Sequence, residues 1–243
     1  VGPLSGSGDA QGAPELTSGM SEWIGLLRSL IVYWRPGRQR GLRRLYAAFV
    51  HEGDLVFDVG AHLGDRSTAF AALGARVIAI EPQPRVARWL HRIVGHNERI
   101  VVRREAVGAT SGTAHLAISR RNPTLSTMSE SWRTNAEMSN LGFKGVRWDS
   151  SIEVPVVTLD GLIESYGTPR FCKIDVEGHE VEVLAGLSQP LAALSVEFAA
   201  GHLTVAADCV RRLVQLGAYR FNVVAGEGRR FELETWRNSQ EML

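Results

Sequence analysis

Two cysteines in 243 residues, Cys172 and Cys209, are too few and too far apart to frame a disulfide-stapled fold. One lies in an apolar strand-like run and the other in a helical pattern. Both are expected as buried thiols, which suits a reducing compartment and a cytoplasmic location. No Cys/His spacing resembles a zinc site, and no metal is expected. The formal charge is only +1, so no global field draws the chain to nucleic acid. No apolar run is long and uninterrupted enough to span a bilayer. A basic lead followed by a small-residue cleavage site is also missing, which argues against a signal peptide. No internal repeat is visible. What the composition does supply is 44% apolar residues, ample for one large domain, with or without a small appendage.

Residues 1–19 are rich in Gly, Ser and Pro and read as a tail without a core, or as a vector-derived remnant. Residues 20–52 read as a helical extension. Trp23, Leu26, Leu27, Leu30 and Trp34 fall at helical spacing behind Ser21, a plausible cap. Arg35, Arg38, Arg40, Arg43 and Arg44 follow. The stretch 21–44 is packed on the main domain with a solvated basic shoulder, lies on a membrane surface in peripheral contact, or faces an anionic substrate. A second helix is expected over Arg43 to His51.

The main domain is expected over 53–243. Leu55–Val59, Arg76–Ile80 and Ile100–Ala106 read as strands, separated by helices Ser67–Leu73 and Pro84–Val94. That alternation predicts an α/β, doubly wound, Rossmann-like sheet of mostly parallel strands. Thr113–Ile118 and Ile152–Val157 read as an antiparallel pair. Between them, 119–151 is polar and irregular, a lid or substrate loop or else disordered. Helix Leu159–Tyr166, strand Phe171–Ile174, helix Val181–Leu187, strand Leu194–Phe198 and helix Thr204–Leu216 follow. Tyr219–Val224 and Arg230–Leu233 read as a closing hairpin.

The chain is organised around Asp54-Leu-Val-Phe-Asp-Val-Gly-Ala-His-Leu-Gly-Asp65. Strand, glycine turn and helix place backbone N–H groups and a helix N-terminus at the carboxyl edge of a sheet, beside Asp58. The spacing Gly60-x-x-x-Gly64 lacks the third close glycine that a pyrophosphate wants, so a nucleoside cofactor fits better than a dinucleotide. Twenty-one residues after Gly60, Glu81 ends the second strand, where an acid can accept both ribose hydroxyls. Each such charge-assisted bond contributes about 1.5–3 kcal/mol. The plainer role for Glu81 is an acid at a helix N-terminus ahead of Pro82 and Pro84; its spacing from Asp58 and both glycines favours the ribose. Glu105 and Ala106 should border the adenine, although Glu105 can also pair with Arg103 or Arg104. Ala61, His62, Ser67, Pro82 and Val176 flank these positions and belong to the same expected cofactor surface.

A second dense motif, Lys173-Ile-Asp-Val-Glu-Gly-His-Glu180, lies across the switch point from the first strand. Asp175, Glu177, His179 and Glu180 crowd one turn. Like charges this close are unfavourable unless they face cations or accept hydrogen bonds. A sulfonium with an α-ammonium supplies such charge. Acids at a helix N-terminus would explain Glu177 and Glu180 more simply, but not Asp175 at a strand end.

Phe57-Asp-Val-Gly-Ala-His-Leu-Gly64, Glu81-Pro82, Val157-Thr-Leu-Asp160 and Lys173–Glu180 occur in that order. Together they resemble the FkbM-type S-adenosylmethionine-dependent methyltransferases over about residues 50 to 200. The resemblance implies a class I methyltransferase fold, a seven-stranded sheet with an antiparallel last strand, to which the closing hairpin corresponds. It implies S-adenosyl-L-methionine as cofactor, S-adenosyl-L-homocysteine as product, and methylation of a hydroxyl on a sugar, glycoside or other secondary metabolite. His62 stands where family members often carry Asn.

Methyl transfer from a sulfonium is a direct displacement. Placing the acceptor in line removes about 7–11 kcal/mol of barrier, and a general base adds about 10²–10⁴-fold. His179 is the first choice of base, given an unperturbed pKa near 6.5; Glu197 and His202 follow. A salt bridge is the plain alternative for Glu197 and a surface position for His202. Competing classes are a non-catalytic nucleoside-binding, partner-recruiting module and a short-chain dehydrogenase. The latter is disfavoured because Gly60-x-x-x-Gly64 has no third glycine at 66 and no Tyr-x-x-x-Lys occurs. The expected partner is a small-molecule hydroxyl acceptor, with no nucleic acid; a homodimer stays open.

Overall fold

The computed structural model describes residues 35, 37–119, 126–130, 148–198, 203–226 and 228–243. The helix expected at 21–34 and most of the lid expected at 119–151 lie outside them. The described chain runs α1 (Arg38–Tyr46), β1 (Leu55–Val59), α2 (Asp65–Ala72), β2 (Arg76–Ile80), α3 (Pro84–Val94), β3 (Ile100–Arg103), β4 (Ala106–Val107), β5 (Gly112–Ile118), β6 (Ser150–Val157), α4 (Leu159–Tyr166), β7 (Phe171–Ile174), α5 (Glu180–Ala185), β8 (Ala193–Val196), α6 (Leu203–Leu216) and α7 (Ser239–Met242).

Five strands form one parallel sheet in the order β3-β2-β1-β7-β8. The order reverses between β1 and β7, and an open α/β sheet binds its ligand at such a reversal. Alternation along each strand sorts side chains to two faces. Val56, Val77, Ala79 and Phe171 pack under α1 and α2 with Leu42, Tyr46, Val50 and Phe70. Phe57, Val59, Ile78, Ile80, Cys172 and Ile174 pack under α4, α5 and α6. Both cysteines are free and buried in that second cluster. Asp58 and Lys173 share the first face. They are register partners on adjacent strands, so two charges stand side by side inside the molecule.

Three elements differ from the sequence reading. The helix expected from Arg43 starts at Arg38 instead, behind Gly37 in a left-handed conformation (φ 83°). Arg38, Leu42 and Tyr46, spaced four apart, form its buried stripe. Arg38 is no solvated shoulder: it is 5% exposed and paired with Asp65 at 2.7 Å. The stretch 38–50 thus shares the core of the domain that follows it. The strand expected over Ile100–Ala106 breaks at Arg103. Glu81 N–H donates to the Arg103 carbonyl, and Pro82 has no N–H with which to extend the ladder. Ala106–Val107 turns away to form a second sheet, β4-β6-β5, in which β5 and β6 pair antiparallel as expected. The closing hairpin survives as one antiparallel bridge, Phe221 with Arg237, and a bond from Glu232 N–H to Val223 O. Asn222 takes both the N–H and the carbonyl of Leu233 with its side chain, and such local bonds compete with a ladder. The main sheet therefore has five strands, not seven, among the described residues.

Candidate active site

The turn after β1 is closed on itself. Gly60 N–H and Ala61 N–H both donate to the Ile80 carbonyl at 2.9 Å, and Gly64 N–H donates to Ala61 O. These donors were expected to face a ligand; the structure spends them on holding β1 to β2. Gly60 has φ 75°, and a Cβ there would collide with the Asp175 carbonyl oxygen. Glycine is therefore what lets the ends of β1 and β7 meet. At Gly64 a Cβ would come within 2.6 Å of Leu90 and 2.8 Å of Val94, so this glycine seats α2 against α3. His62 has φ 48°, in the left-handed region where Asn, Asp and His are enriched. A family Asn and this His can thus share one backbone. Burial pushes the His62 imidazole down to about 4, so it is neutral at neutral pH.

Glu81 stands across the turn, 8% exposed. One carboxylate oxygen accepts from His62 N–H at 3.1 Å and the other from Gln83 N–H at 2.9 Å. The side chain is fixed, and each oxygen keeps a lone pair. Burial raises its pKa to about 7, against the pull of those two N–H groups.

Behind the turn lies a charged network. Ser67 Oγ donates to Asp58 at 2.5 Å. Lys173 Nζ lies 3.4 Å from Asp58, 3.0 Å from Asp175 and 2.8 Å from the Gly60 carbonyl oxygen. Burial opposes the Lys173 charge, yet Asp175 and Asp58 hold its pKa above the ordinary value. Burial likewise opposes the Asp175 charge, and Lys173 and Arg66 overcome it. Arg66, in the first turn of α2, reaches Glu197 at 3.3 Å. The Asp175 charge above all pushes Glu197, whose side chain is 51% exposed, up to about 7. Burial and the Asp175, Glu197 and Glu180 charges push Glu177 well above the carboxylate range. Glu180 turns inward and accepts from Val176 N–H and Gly178 N–H, closing the turn that carries Asp175 and Glu177.

These elements enclose one cleft. Its wall includes Gly60, His62, Glu81, Pro82, Glu105, Ala106, Asp175, Val176 and Glu177, all expected from the sequence. A model of the FkbM methyltransferase domain matches residues 58–221. The chain belongs to this family. An FkbM relative, the hexuronic acid methyltransferase AglP of Haloferax volcanii, is 27% identical over 187 residues, 72% of this chain and 70% of its own. Among solved structures, a TehB-like methyltransferase from Corynebacterium glutamicum is 12% identical, with 90% of this chain and 98% of that one covered and a TM-score of 0.49. P. horikoshii TYW2 in complex with MeSAdo is 26% identical over 30% of this chain and 28% of its own, with a TM-score of 0.26. The FkbM chain is a methyltransferase.

S-adenosylmethionine fits what the FkbM cleft offers. Glu81 is an oriented acceptor for paired hydroxyls. Asp175 brings negative charge against which a sulfonium and an ammonium are favourable, and a cation there would favour ionisation of Glu177, whose pKa burial and its acidic neighbours raise. Ile80, Pro82, Ala106, Leu116 and Met128 give an apolar slot for a base. Glu105 lines that slot while paired with Arg103 at 2.6 Å; Arg103 also bonds Tyr166.

Other expected residues hold the FkbM cleft without lining it. Asp58, Ala61, Gly64 and Ser67 sit behind the turn: Asp58 and Ser67 are fully buried and bonded to each other. His179 also stands off the cleft wall. It precedes α5 and lies 3.7 Å from Glu182, with burial lowering its pKa. His202 lies outside the described residues. The sequence reading missed Val59, Ile80, Val107 and Leu116, which strand alternation could have supplied, and Ser126–Met128, for which it held no signal. Among the described residues no helix is long and apolar enough to cross a membrane.

Proposed function

We propose that this FkbM protein transfers the methyl group of S-adenosylmethionine to a hydroxyl of a sugar, with Glu197 as general base. The observation that carries the reading is the pair of acidic banks, Glu81 at the end of β2 and Asp175–Glu177 at the end of β7, on either side of the Gly60 turn. The name of the relative AglP, a hexuronic acid methyltransferase, supports a sugar acceptor.

The cofactor, when bound, supplies a methyl group on a positively charged sulfur and leaves as S-adenosylhomocysteine. Everything else falls to the chain. Glu81 orients the ribose, and Asp175 offsets the positive charge with Glu177 beside it. Positioning supplies the larger part of the rate, about 7–11 kcal/mol. Glu197 lies at the end of β8, one strand beyond Asp175. Its carboxyl titrates near 7, so at neutral pH it is partly ionised and able to take a proton from an alcohol. Arg66 fixes its orientation. Neither Glu197 nor His179 is part of the cleft wall; His179 is the second choice because its partner Glu182 lies on α5, whereas Arg66 and the Asp175 charge tie Glu197 to the network behind the Gly60 turn.

The test is turnover with a uronic-acid glycoside and radiolabelled S-adenosylmethionine. Glu197→Gln is expected to lower kcat by about 10²–10⁴-fold and leave cofactor affinity within about twofold. A His179→Ala variant that loses kcat to that extent while Glu197→Gln does not would transfer the role to His179.

A further inference from the structure

The cleft has a third wall, formed by a segment that touches both acidic banks. Ser126, Thr127 and Met128 line it. On the β2 side, Gln83 Nε2 donates to Ser126 Oγ at 2.7 Å; Gln83 is the residue whose N–H holds Glu81. On the β7 side, Thr127 Oγ1 donates to the Glu177 carbonyl at 2.6 Å. The two banks are the ends of strands that flank β1, two strand spacings apart, or roughly 9–10 Å. Adjacent residues of an extended chain point to opposite sides. Two consecutive side chains can therefore reach both banks.

The segment is anchored from behind as well. Thr127 forms an antiparallel bridge with Ala117 of β5, with backbone bonds of 2.9 and 3.1 Å. Thr127 is 1% exposed, and its hydroxyl accepts from Ser129 N–H at 2.9 Å while donating to Glu177. The residue it grips is unusual. Glu177 has φ 53°, a conformation that residues other than glycine seldom adopt. The Thr127 bond holds that conformation at its carbonyl.

We propose that Ser126–Thr127 is a clasp across the cofactor cleft, and that Thr127 is the positioning residue that sets the rate at which the nucleoside product leaves. The inference rests on the reading of the cleft as the S-adenosylmethionine site. A ligand between the banks must part at least one of the two bonds to leave on the side that Ser126–Met128 cover. The Thr127 bond is the stronger restraint, because parting it also leaves the carbonyl of the half-buried Glu177 without that donor.

The experiment follows release of S-adenosylhomocysteine from the full chain by stopped-flow displacement. Thr127→Val keeps the shape and loses the hydroxyl. It is expected to raise the dissociation rate roughly tenfold, about 1.4 kcal/mol, with the association rate within about twofold. Thr127→Ser should restore release to about the wild-type rate, since its hydroxyl keeps both bonds. Ser126→Ala, which cuts the other end, should speed release about threefold, a smaller loss consistent with a neutral hydrogen bond. An unchanged release rate in Thr127→Val, or a Thr127→Ser variant as fast as the valine, overturns the clasp. So does a variant that melts earlier while releasing product at the wild-type rate. If Thr127→Val does not fold, Ser126→Ala decides: unchanged release refutes the proposal. A wild-type protein that does not bind S-adenosylhomocysteine at millimolar concentration refutes the cofactor reading itself, a result distinct from all of these.

Discussion

On one face of the main sheet, Phe57, Val59, Ile78, Ile80, Cys172 and Ile174 meet α4, α5 and α6 with apolar groups and one thiol. On the other face Val56, Val77 and Phe171 still pack under α1 and α2, but the same strands also carry Asp58 and Lys173 side by side, and around them gather Asp175, Arg66, Asp65 and Arg38. A buried ion pair is a poor way to stabilise a fold, because desolvation consumes most of what the attraction returns. The apolar packing on both faces is what holds the molecule together. The buried charges hold a shape: Lys173 ties the Gly60 turn to Asp175, and Arg38 ties α1 to the start of α2. The charged face determines where the two banks of the cleft stand.

The sharpest way to break this contrast is Lys173→Met. It leaves Asp58 and Asp175 without their common cation, and the expected cost is about 3–5 kcal/mol in urea unfolding. Asp58→Asn added to Lys173→Met should recover part of that loss. A single variant as stable as the wild type would mean that the two faces are equivalent. Cofactor affinity comes next in size. Glu81 is raised from the ordinary range to about 7 by burial. Its contribution to stability is present below the unfolded value near 4.5 and is lost as pH rises through 7. A ligand that needs the ionised carboxylate shows the opposite trend. Calorimetry should find S-adenosylhomocysteine affinity rising about tenfold from pH 6 to 8. In Glu81→Gln affinity should be lower overall and nearly flat with pH; a wild-type profile that is already flat would remove Glu81 from the binding step. The smallest effect belongs to the apolar face. Ile78→Val should cost about 0.5–1.5 kcal/mol and leave cofactor affinity within error. A matching fall in affinity would show that this face also shapes the cleft.

The same contrast explains what could be read from the sequence. β1, β2, β7, α3 and α4 were legible because short apolar runs and helical spacing, with Pro84 opening α3, are local signals. Glu81, Asp175 and Glu177 were legible because each follows a recognisable strand. The start of α1 was not, because Arg38 is buried against Asp65, 27 residues further along. Asp58 could be placed but not oriented. Its partner Lys173 is 115 positions away in sequence and adjacent only in register. Thr127 was invisible for a related reason: its bonds go to Ala117 and Glu177, and no period or cap accompanies a residue that works through distant contacts.

The two thiols on the apolar face also provide a clock. Cys172 is fully buried in β7 and Cys209 is 3% exposed on α6, and burial raises both thiol pKa values. Neither can form the thiolate that alkylating reagents attack until its surroundings open. Timed labelling followed by mass spectrometry would therefore date the opening of the sheet and of the helix separately, with no dye or engineered probe. The interval between the two dates measures whether α6 lifts off before the strands part.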